Sequence, residues 1–222
     1  MARITLPSGT PAELALPTAG SPERGLVLWP DVMGLRPLFD EHARRLADEQ
    51  NWVVCVVEVY PGKEHLTLED RFAEISSFSD ADKVADAVAA ADACGVEPVG
   101  VLGFCMGGMF TIKSIASGRF DRGVAFYGMV RMPEQWRGPK VFDAIDSVRE
   151  RGEAELLCIF GMKDPWCPPE EIAEVEAAGA HVVRYPDADH GWAQDPSREN
   201  YRTDDAADAW ARAIEFLSTG VT

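Results

Sequence analysis

Pro98-Val99-Gly100-Val101-Leu102-Gly103-Phe104-Cys105-Met106-Gly107-Gly108 is the stretch of sequence that decides the fold. Its first part, residues 98–104, is a continuous apolar run, which predicts a strand covered on both faces as in a parallel sheet. Its second part has glycine two residues before and two residues after Cys105, the G-x-C-x-G form of a nucleophile elbow. Small residues at those positions leave room for a sharp turn, so the segment predicts that Cys105 lies where a strand ends and a helix begins.

Apolar runs and helical spacings of apolar residues alternate on both sides of this segment. Five further apolar runs predict strands at Gly25–Trp29, Trp52–Val59, Gly123–Tyr127, Glu155–Phe160 and His181–Tyr185. Helical spacing of apolar residues predicts helices at Phe39–Glu49, Ala81–Ala93, Met106–Ser117, Pro168–Ala178 and Asp204–Leu217. The alternation predicts one α/β domain over residues 1–222, with a mostly parallel, doubly wound sheet and helices on both faces.

Composition narrows the classes of partner. The net charge of −16 disfavours nucleic acid and an anionic membrane surface, because both require a basic face. No run approaches the ~18–20 apolar residues of a membrane span, and the N-terminal residues lack the apolar core of a signal peptide. The five cysteines form no CxxC pair and no zinc-type spacing with histidine. We therefore expect free thiols in the cytoplasm, no metal or cofactor, a small-molecule substrate, and a monomer or small homo-oligomer.

Reactive side chains are expected where the strands end, because the sites of parallel α/β sheets lie at that edge. Asp164 follows the fifth of the six predicted strands and His190 follows the sixth. A thiol nucleophile needs a base, and the base needs an orienting acid. The order Cys105, Asp164, His190 is that of the α/β-hydrolase fold, which the sequence therefore predicts. The N–H of Met106, at the start of the helix, is left free to bind a developing oxyanion.

Other residues are candidates for two of these roles. His65, in the loop after the second strand, remains open as a base, whereas His42 is expected on the surface of a helix. Asp187 and Asp189 are rivals for the acid. We rank them below Asp164, because an aspartate next to a histidine in sequence rarely reaches its ring.

The sequence resembles the dienelactone hydrolase family over nearly its whole length. The matching segments are Gly25–Asp31, Val59–Gly62, Gly103–Gly108, Gly161–Asp164 and Asp189–Trp192. The resemblance implies a Cys-Asp-His triad that opens an enol-lactone through a thioester, an activity of the carboxymethylenebutenolidase type. It also implies that the N–H of Val32 is a second oxyanion donor.

The same resemblance suggests how the thiol and the substrate are held. Asp31 takes the place of an acidic residue, usually Glu, that helps to control the charge of the thiol. Arg71 corresponds to one of two arginines that bind a substrate carboxylate, while Gln194 stands where the second is expected, with Arg198 nearby. Trp192, beside His190, is a candidate for the wall of the substrate pocket.

Two other functions remain open at this point. One is a broad-specificity carboxylesterase, which would differ in substrate and not in mechanism. The other is a non-hydrolytic thiol redox or binding protein on the same fold, with Cys167 as the partner of Cys105. Cys167 follows Asp164 by three residues, so it is expected near the site.

Overall fold

The core of the molecule is a parallel sheet whose strands are buried on both faces, except for the strand at its edge, His181–Tyr185, which is largely half-buried or exposed. The computed structural model describes residues 1–219. Six parallel strands are β3 (Arg24–Trp29), β4 (Trp52–Val57), β5 (Val99–Phe104), β6 (Arg122–Phe126), β7 (Glu155–Gly161) and β8 (His181–Tyr185). Each coincides with a predicted strand to within two residues at either end, which confirms the mostly parallel sheet.

Two strands were not predicted from the sequence. β1 (Ala2–Thr5) and β2 (Pro11–Ala15) form an antiparallel hairpin that extends the sheet beyond β4, so that the strand order is β1-β2-β4-β3-β5-β6-β7-β8. β1 lies at the edge of the sheet and three of its four residues are exposed. A short, solvated edge strand has no continuous apolar run, and this explains why the sequence pattern did not reveal it.

Within residues 1–219, seven α-helices connect and cover the strands. They are α1 (Pro37–Gln50), α2 (Leu68–Glu74), α3 (Asp80–Cys94), α4 (Met106–Ile115), α5 (Ala144–Glu150), α6 (Pro169–Ala177) and α7 (Thr203–Thr219). The five longest correspond to the predicted helices. α2 and α5 are only seven residues long, too short for a helical period to show in the sequence.

Two apolar layers flank the sheet. On one face, α1 and α7 pack against the even-numbered side chains of β3, β4 and β5, such as Leu28 and Phe104. On the other face, α3, α4, α5 and α6 enclose a second core that includes Trp29 and Phe110. This sandwich holds the C-terminal ends of the parallel strands at one common edge, where Cys105, Asp164 and His190 are found.

Candidate active site

Cys105 occupies the turn between β5 and α4 in a backbone conformation that few residues adopt. Its φ is 57° and its ψ is −117°, a strained region that costs about 1–3 kcal/mol. The tight approach of the chain on either side explains the glycines of the motif. A Cβ on Gly107 would lie 2.2 Å from the carbonyl oxygen of Pro30, and one on Gly103 would lie 2.2 Å from that of Gly107. The sequence therefore encodes an elbow that presents the thiol at the mouth of the sheet.

Backbone hydrogen bonds between the loops after β7 and β8 bring Asp164 and His190 together. The N–H of Met162 donates to Tyr185, and the N–H of Lys163 donates to Ala188 at 2.9 Å. A Cβ on Gly161 would lie 2.5 Å from the carbonyl oxygen of Ala188. Only glycine at this position allows the loop after β7 to lie so close to the loop after β8.

His190 is held by the carboxylate of Asp164. Its Nδ1 lies 2.7 Å from Oδ2 of Asp164, whose other oxygen accepts the N–H of Trp166 at 2.8 Å. The Asp164 side chain is fully buried, and that of His190 is 18% exposed. This carboxylate fixes the orientation of the imidazole and leaves Nε2 for the thiol.

The charge state of His190 depends on Cys105. Burial lowers the pKa of His190, but the negative charge of Cys105, hydrogen bonds to Asp164 and Cys105, and the charge of Asp164 outweigh burial and raise it to about 10. His190 is therefore an imidazolium at neutral pH as long as Cys105 is a thiolate. The N-terminus of α4 adds a positive end of a helix dipole beside the sulfur.

The rival acids and bases have other partners or positions. Asp187 pairs with Lys163 at 2.8 Å, and Asp189 accepts the backbone N–H of His190 at 2.6 Å. His65 is exposed and lies outside the lining of the cavity at Cys105. The geometry thus favours Asp164 and His190 over these alternatives.

His42 is less exposed than the sequence predicted, because its side chain is only partly accessible to solvent. Its ring packs against Phe39, Phe104 and Trp210, because α1 turns this part of its surface toward α7. Burial lowers the pKa of His42 to about 4. One ring nitrogen lies 2.7 Å from the carbonyl oxygen of Gln194, so His42 supports the loop that carries His190.

Two backbone N–H groups near the thiol have no acceptor. The N–H of Val32, after β3, and that of Met106, at the start of α4, donate no hydrogen bond to any residue between 1 and 219. Both residues are buried and line the same cavity as Cys105. Unpaired buried N–H groups are rare in folded proteins, and a pair of them beside a nucleophile is suited to an oxyanion.

Asp31 belongs to a buried polar network beside the cavity. Its carboxylate binds the guanidinium of Arg36 in a bidentate pair, at 2.6 and 2.7 Å, and accepts Nε2 of Gln194 at 3.2 Å. The amide oxygen of Gln194 in turn accepts the hydroxyl of Tyr127. Within residues 1–219, no hydrogen bond joins Asp31 to Cys105. Any control of the thiol by Asp31 therefore acts through space, in a field that Arg36 largely neutralises.

Arg71 and Trp192, which the sequence placed near the substrate, are both directed into the protein. The guanidinium of Arg71 is buried and donates to the carbonyl oxygens of Leu66, Val32 and Glu64, so it braces the loop before α2. Trp192 is fully buried against Tyr185 and Tyr127. Neither side chain lines the cavity, because each is directed into the protein by the packing of its own loop.

The cavity above Cys105 has a volume of about 420 Å³. Beside Cys105 and His190, its lining includes Arg36 and Arg198 and several apolar side chains, namely Met33, Leu68, Phe72, Ile75, Met129, Trp136 and Trp166. Most of these apolar residues come from α2 and from the loops after β6 and β7. No group of three or more His, Cys, Asp and Glu side chains is placed to hold a metal ion in the part of the chain that the structure describes.

Comparison with known proteins identifies the family of the chain. A model of the dienelactone hydrolase family matches residues 11–221. The chain belongs to the dienelactone hydrolase family. Family membership assigns it to the enzymes that hydrolyse esters and lactones.

Individual relatives have low sequence identity to this chain, and two of those described here match most of its length. The carboxymethylenebutenolidase of Rhodococcus opacus is 27% identical over 214 residues, which cover 89% of this chain and 81% of that protein. A putative carboxymethylenebutenolidase of Synechocystis sp. is 29% identical over 129 residues, and the match spans only about half of that protein, 51%. The crystal structure of a putative dienelactone hydrolase from Klebsiella pneumoniae has a TM-score of 0.83 at 24% identity and covers 98% of both chains. The fold is thus that of the α/β-hydrolases.

No helix within residues 1–219 has both the length and the apolar character needed to cross a membrane.

Proposed function

We propose that this protein hydrolyses a small ester or lactone, with Cys105 as nucleophile, His190 as base and Asp164 as the residue that orients the base. The observation that carries the proposal is the position of His190, bound to Asp164 at 2.7 Å and with a pKa raised to about 10 through its interactions with Cys105 and Asp164. The sulfur of Cys105 is among the groups that favour the protonated imidazole, so His190 is suited to accept the proton of that thiol. Thiolate and imidazolium are the reactive pair of a cysteine hydrolase.

The first half-reaction would acylate the thiol. The thiolate of Cys105 attacks the carbonyl carbon, and the carbonyl oxygen becomes an oxyanion that accepts the N–H groups of Val32 and Met106, each worth about 3 kcal/mol in comparable sites. The tetrahedral intermediate collapses by breaking the bond to the alkoxide. That alkoxide takes the proton held by His190, and a thioester remains on Cys105.

The second half-reaction needs His190 to act as a base, and acylation itself provides this change. The charge of Cys105 and its hydrogen bond are two of the causes that raise the pKa of His190. Both disappear when the sulfur forms a thioester, so the pKa of His190 falls and its free nitrogen accepts a proton from water. The resulting hydroxide attacks the thioester, the carboxylic acid leaves, and the thiolate and imidazolium are restored.

A broad-specificity carboxylesterase is the second candidate, and the positions of Arg71 and Gln194 favour it. All three nitrogens of Arg71 bind backbone carbonyls, and both ends of the Gln194 amide are occupied. The guanidinium of Arg71 is therefore not available to a substrate carboxylate, and Gln194, although it lines the cavity, already binds Asp31 and Tyr127 through its amide. The restriction to an anionic dienelactone, which the resemblance implies through these two positions, therefore has little support.

The redox alternative has weaker support. Cys167 is buried, and burial, the charge of Asp164 and a hydrogen bond to it raise the pKa of its thiol well above the usual range. Such a thiol forms little thiolate and is a poor partner for disulfide exchange. All five cysteines are free thiols, and the cytoplasmic location that they suggest stays a prediction.

The test compares Cys105→Ala with Cys94→Ala. Cys94 is a buried thiol on α3, so its replacement controls for the loss of a sulfur. We expect Cys105→Ala to lower kcat/KM for p-nitrophenyl acetate by at least about a thousandfold, and Cys94→Ala to leave it nearly unchanged. If Cys105→Ala kept activity within tenfold of the wild type, Cys105 would not be the nucleophile.

A further inference from the structure

One side of the cavity is a stack of three aromatic rings. Phe72 of α2 lies parallel to Trp136, with ring centroids 5.2 Å apart and an angle of 8° between the planes. Trp136 in turn packs on Trp166 at 5.0 Å and 32°. We call these three residues the aromatic wall. They come from three separate segments of the chain, and all three line the cavity that contains Cys105.

The aromatic wall is only partly covered by protein. Trp166 is 37% exposed, and Phe72 and Trp136 are half-buried, whereas Trp29 and Trp192 in the cores are fully buried. When a flat apolar group of a ligand covers flat apolar surface of this kind, water is removed from both, which favours binding. The wall therefore has unused binding surface at the place where a substrate would enter.

The segment that carries Trp136 is rigidly placed. Trp136 is the last residue of the short 3-10 helix Glu134–Trp136. Two residues later, Gly138 packs against Ser76 so tightly that a Cβ on it would lie 1.9 Å from the Ser76 carbonyl oxygen. The next arginine, Arg137, binds Asp143 at 3.2 Å. A surface that is fixed before the ligand arrives binds it with a smaller loss of conformational entropy.

The size and the chemistry of the cavity fit a single-ring ligand. Its volume of about 420 Å³ lies within the usual range of about 300–1,000 Å³ for small-molecule sites. The wall carries no charge, and Arg36 on the lining is already paired with Asp31. Recognition by the wall would consequently depend on shape and on ring stacking, while the carbonyl group reaches Cys105 in the same cavity.

We propose that Phe72, Trp136 and Trp166 determine specificity by selecting esters or lactones that carry an aromatic ring. This inference rests on the proposed function, since it assumes that the ester carbonyl reacts at Cys105. It goes further by naming the class of substrate and the side chains that select it.

The experiment compares flat and puckered rings of similar size and reactivity. Benzyl acetate and cyclohexylmethyl acetate place the ring on the alcohol side, and methyl phenylacetate and methyl cyclohexylacetate place it on the acyl side. Ring stacking should favour the aromatic member of at least one pair by about three- to tenfold in kcat/KM. Trp166→Leu and Trp136→Leu should bring that ratio close to one, and Trp136→Phe should retain most of it.

Phe142→Leu is the matched control. Phe142 is an aromatic residue with the same exposure as Trp166, 37%, but it packs near Lys113 and does not line the cavity. Its replacement should leave the ratio of aromatic to cyclohexyl substrate unchanged. Ratios near one for the wild type in both pairs, or a ratio that Trp166→Leu does not alter, would overturn the proposal.

A binding measurement separates failure of the inference from failure of the proposed function. If the wild type hydrolysed none of the four esters, the reaction assigned to Cys105 would be wrong. Titration with benzyl alcohol and with cyclohexylmethanol, monitored by tryptophan fluorescence, would then test whether the aromatic wall binds an aromatic ring, independently of any reaction. Tighter binding of benzyl alcohol that Trp166→Leu abolishes would support ring recognition, and equal binding of the two alcohols would refute it.

Discussion

Asp164→Asn is the substitution whose consequences the geometry defines most closely. The change keeps the size of the side chain but removes its charge and gives it an amide in place of the oxygen that faces Nδ1 of His190 at 2.7 Å. Asp164 supplies two of the four causes that raise the pKa of His190, a hydrogen bond and a charge. Burial, which lowers that pKa, stays in place.

The magnitude follows from the loss of those two contributions. The pKa of His190 should fall from about 10 toward or below its ordinary 6.5, and each unit of that fall weakens the thiolate–imidazolium pair by about 1.4 kcal/mol, or tenfold. The asparagine amide also favours the wrong tautomer of the imidazole, which costs about four orders of magnitude in serine hydrolases. We expect kcat/KM to drop by roughly 10²- to 10⁴-fold at pH 7.

Alkylation by iodoacetamide reports on the pair without any substrate. Cys105 is the one cysteine of the five that is not buried, so it should react selectively in the folded protein. In the wild type, the rate should stay nearly constant from neutral pH up toward pH 10, because His190 keeps its proton over that range. In Asp164→Asn, the rate at pH 7 should be lower than in the wild type, because His190 loses two of the interactions that keep it protonated beside the sulfur.

Asp187→Asn is the control, because Asp187 is an exposed aspartate on the neighbouring loop that pairs with the exposed Lys163. Its kcat/KM and its alkylation profile should match those of the wild type. An Asp164→Asn variant that is folded and keeps both properties within twofold would refute the role of the Asp164–His190 contact.

Three further predictions test other parts of the structure. Gly107→Ala should destabilise the fold by more than about 3 kcal/mol in urea unfolding, since its Cβ would lie 2.2 Å from a backbone oxygen; a loss below 1 kcal/mol would mean that the elbow is not tightly packed. Asp80→Ala should lower the free energy of unfolding by about 3–5 kcal/mol, because it leaves the charge of Lys113 buried without its partner at 2.6 Å. Adding Lys113→Met should recover most of this stability, and no recovery would show that the buried charge is not the cause. Arg198→Gln should lower kcat/KM for monomethyl succinate by about three- to fivefold, the effect of an exposed ion pair, and leave dimethyl succinate unchanged, because Arg198 is an exposed cation on the cavity lining; equal losses for both esters would exclude recognition of charge.

The order of Cys105, Asp164 and His190 along the chain was informative because each lies at or shortly after the C-terminal end of a parallel strand. The sheet itself determines where strand ends meet, so local sequence carries that information. The elbow at Cys105 adds a steric requirement that only small residues satisfy, and glycines record such a requirement in the sequence.

Other features of the site depend on contacts between distant segments and leave no local pattern. The pairing of Asp31 with Arg36 and Gln194 joins two loops that are 163 residues apart. The aromatic wall combines Phe72, Trp136 and Trp166 from three segments, of which only Trp166 lies next to a recognised motif. The directions of the Arg71 and Trp192 side chains also leave no local pattern, because tertiary packing decides where such a side chain points.

The central claim is that the thiol of Cys105 forms a covalent thioester during turnover, and trapping that intermediate tests it most directly. Wild-type protein would be mixed with excess p-nitrophenyl acetate, quenched in acid within the first turnover, and digested for mass spectrometry. We expect an acetyl group on the peptide that contains Cys105, removable by neutral hydroxylamine and absent from Cys105→Ala. An acetyl group on another residue, or turnover by Cys105→Ala at the wild-type rate, would contradict it.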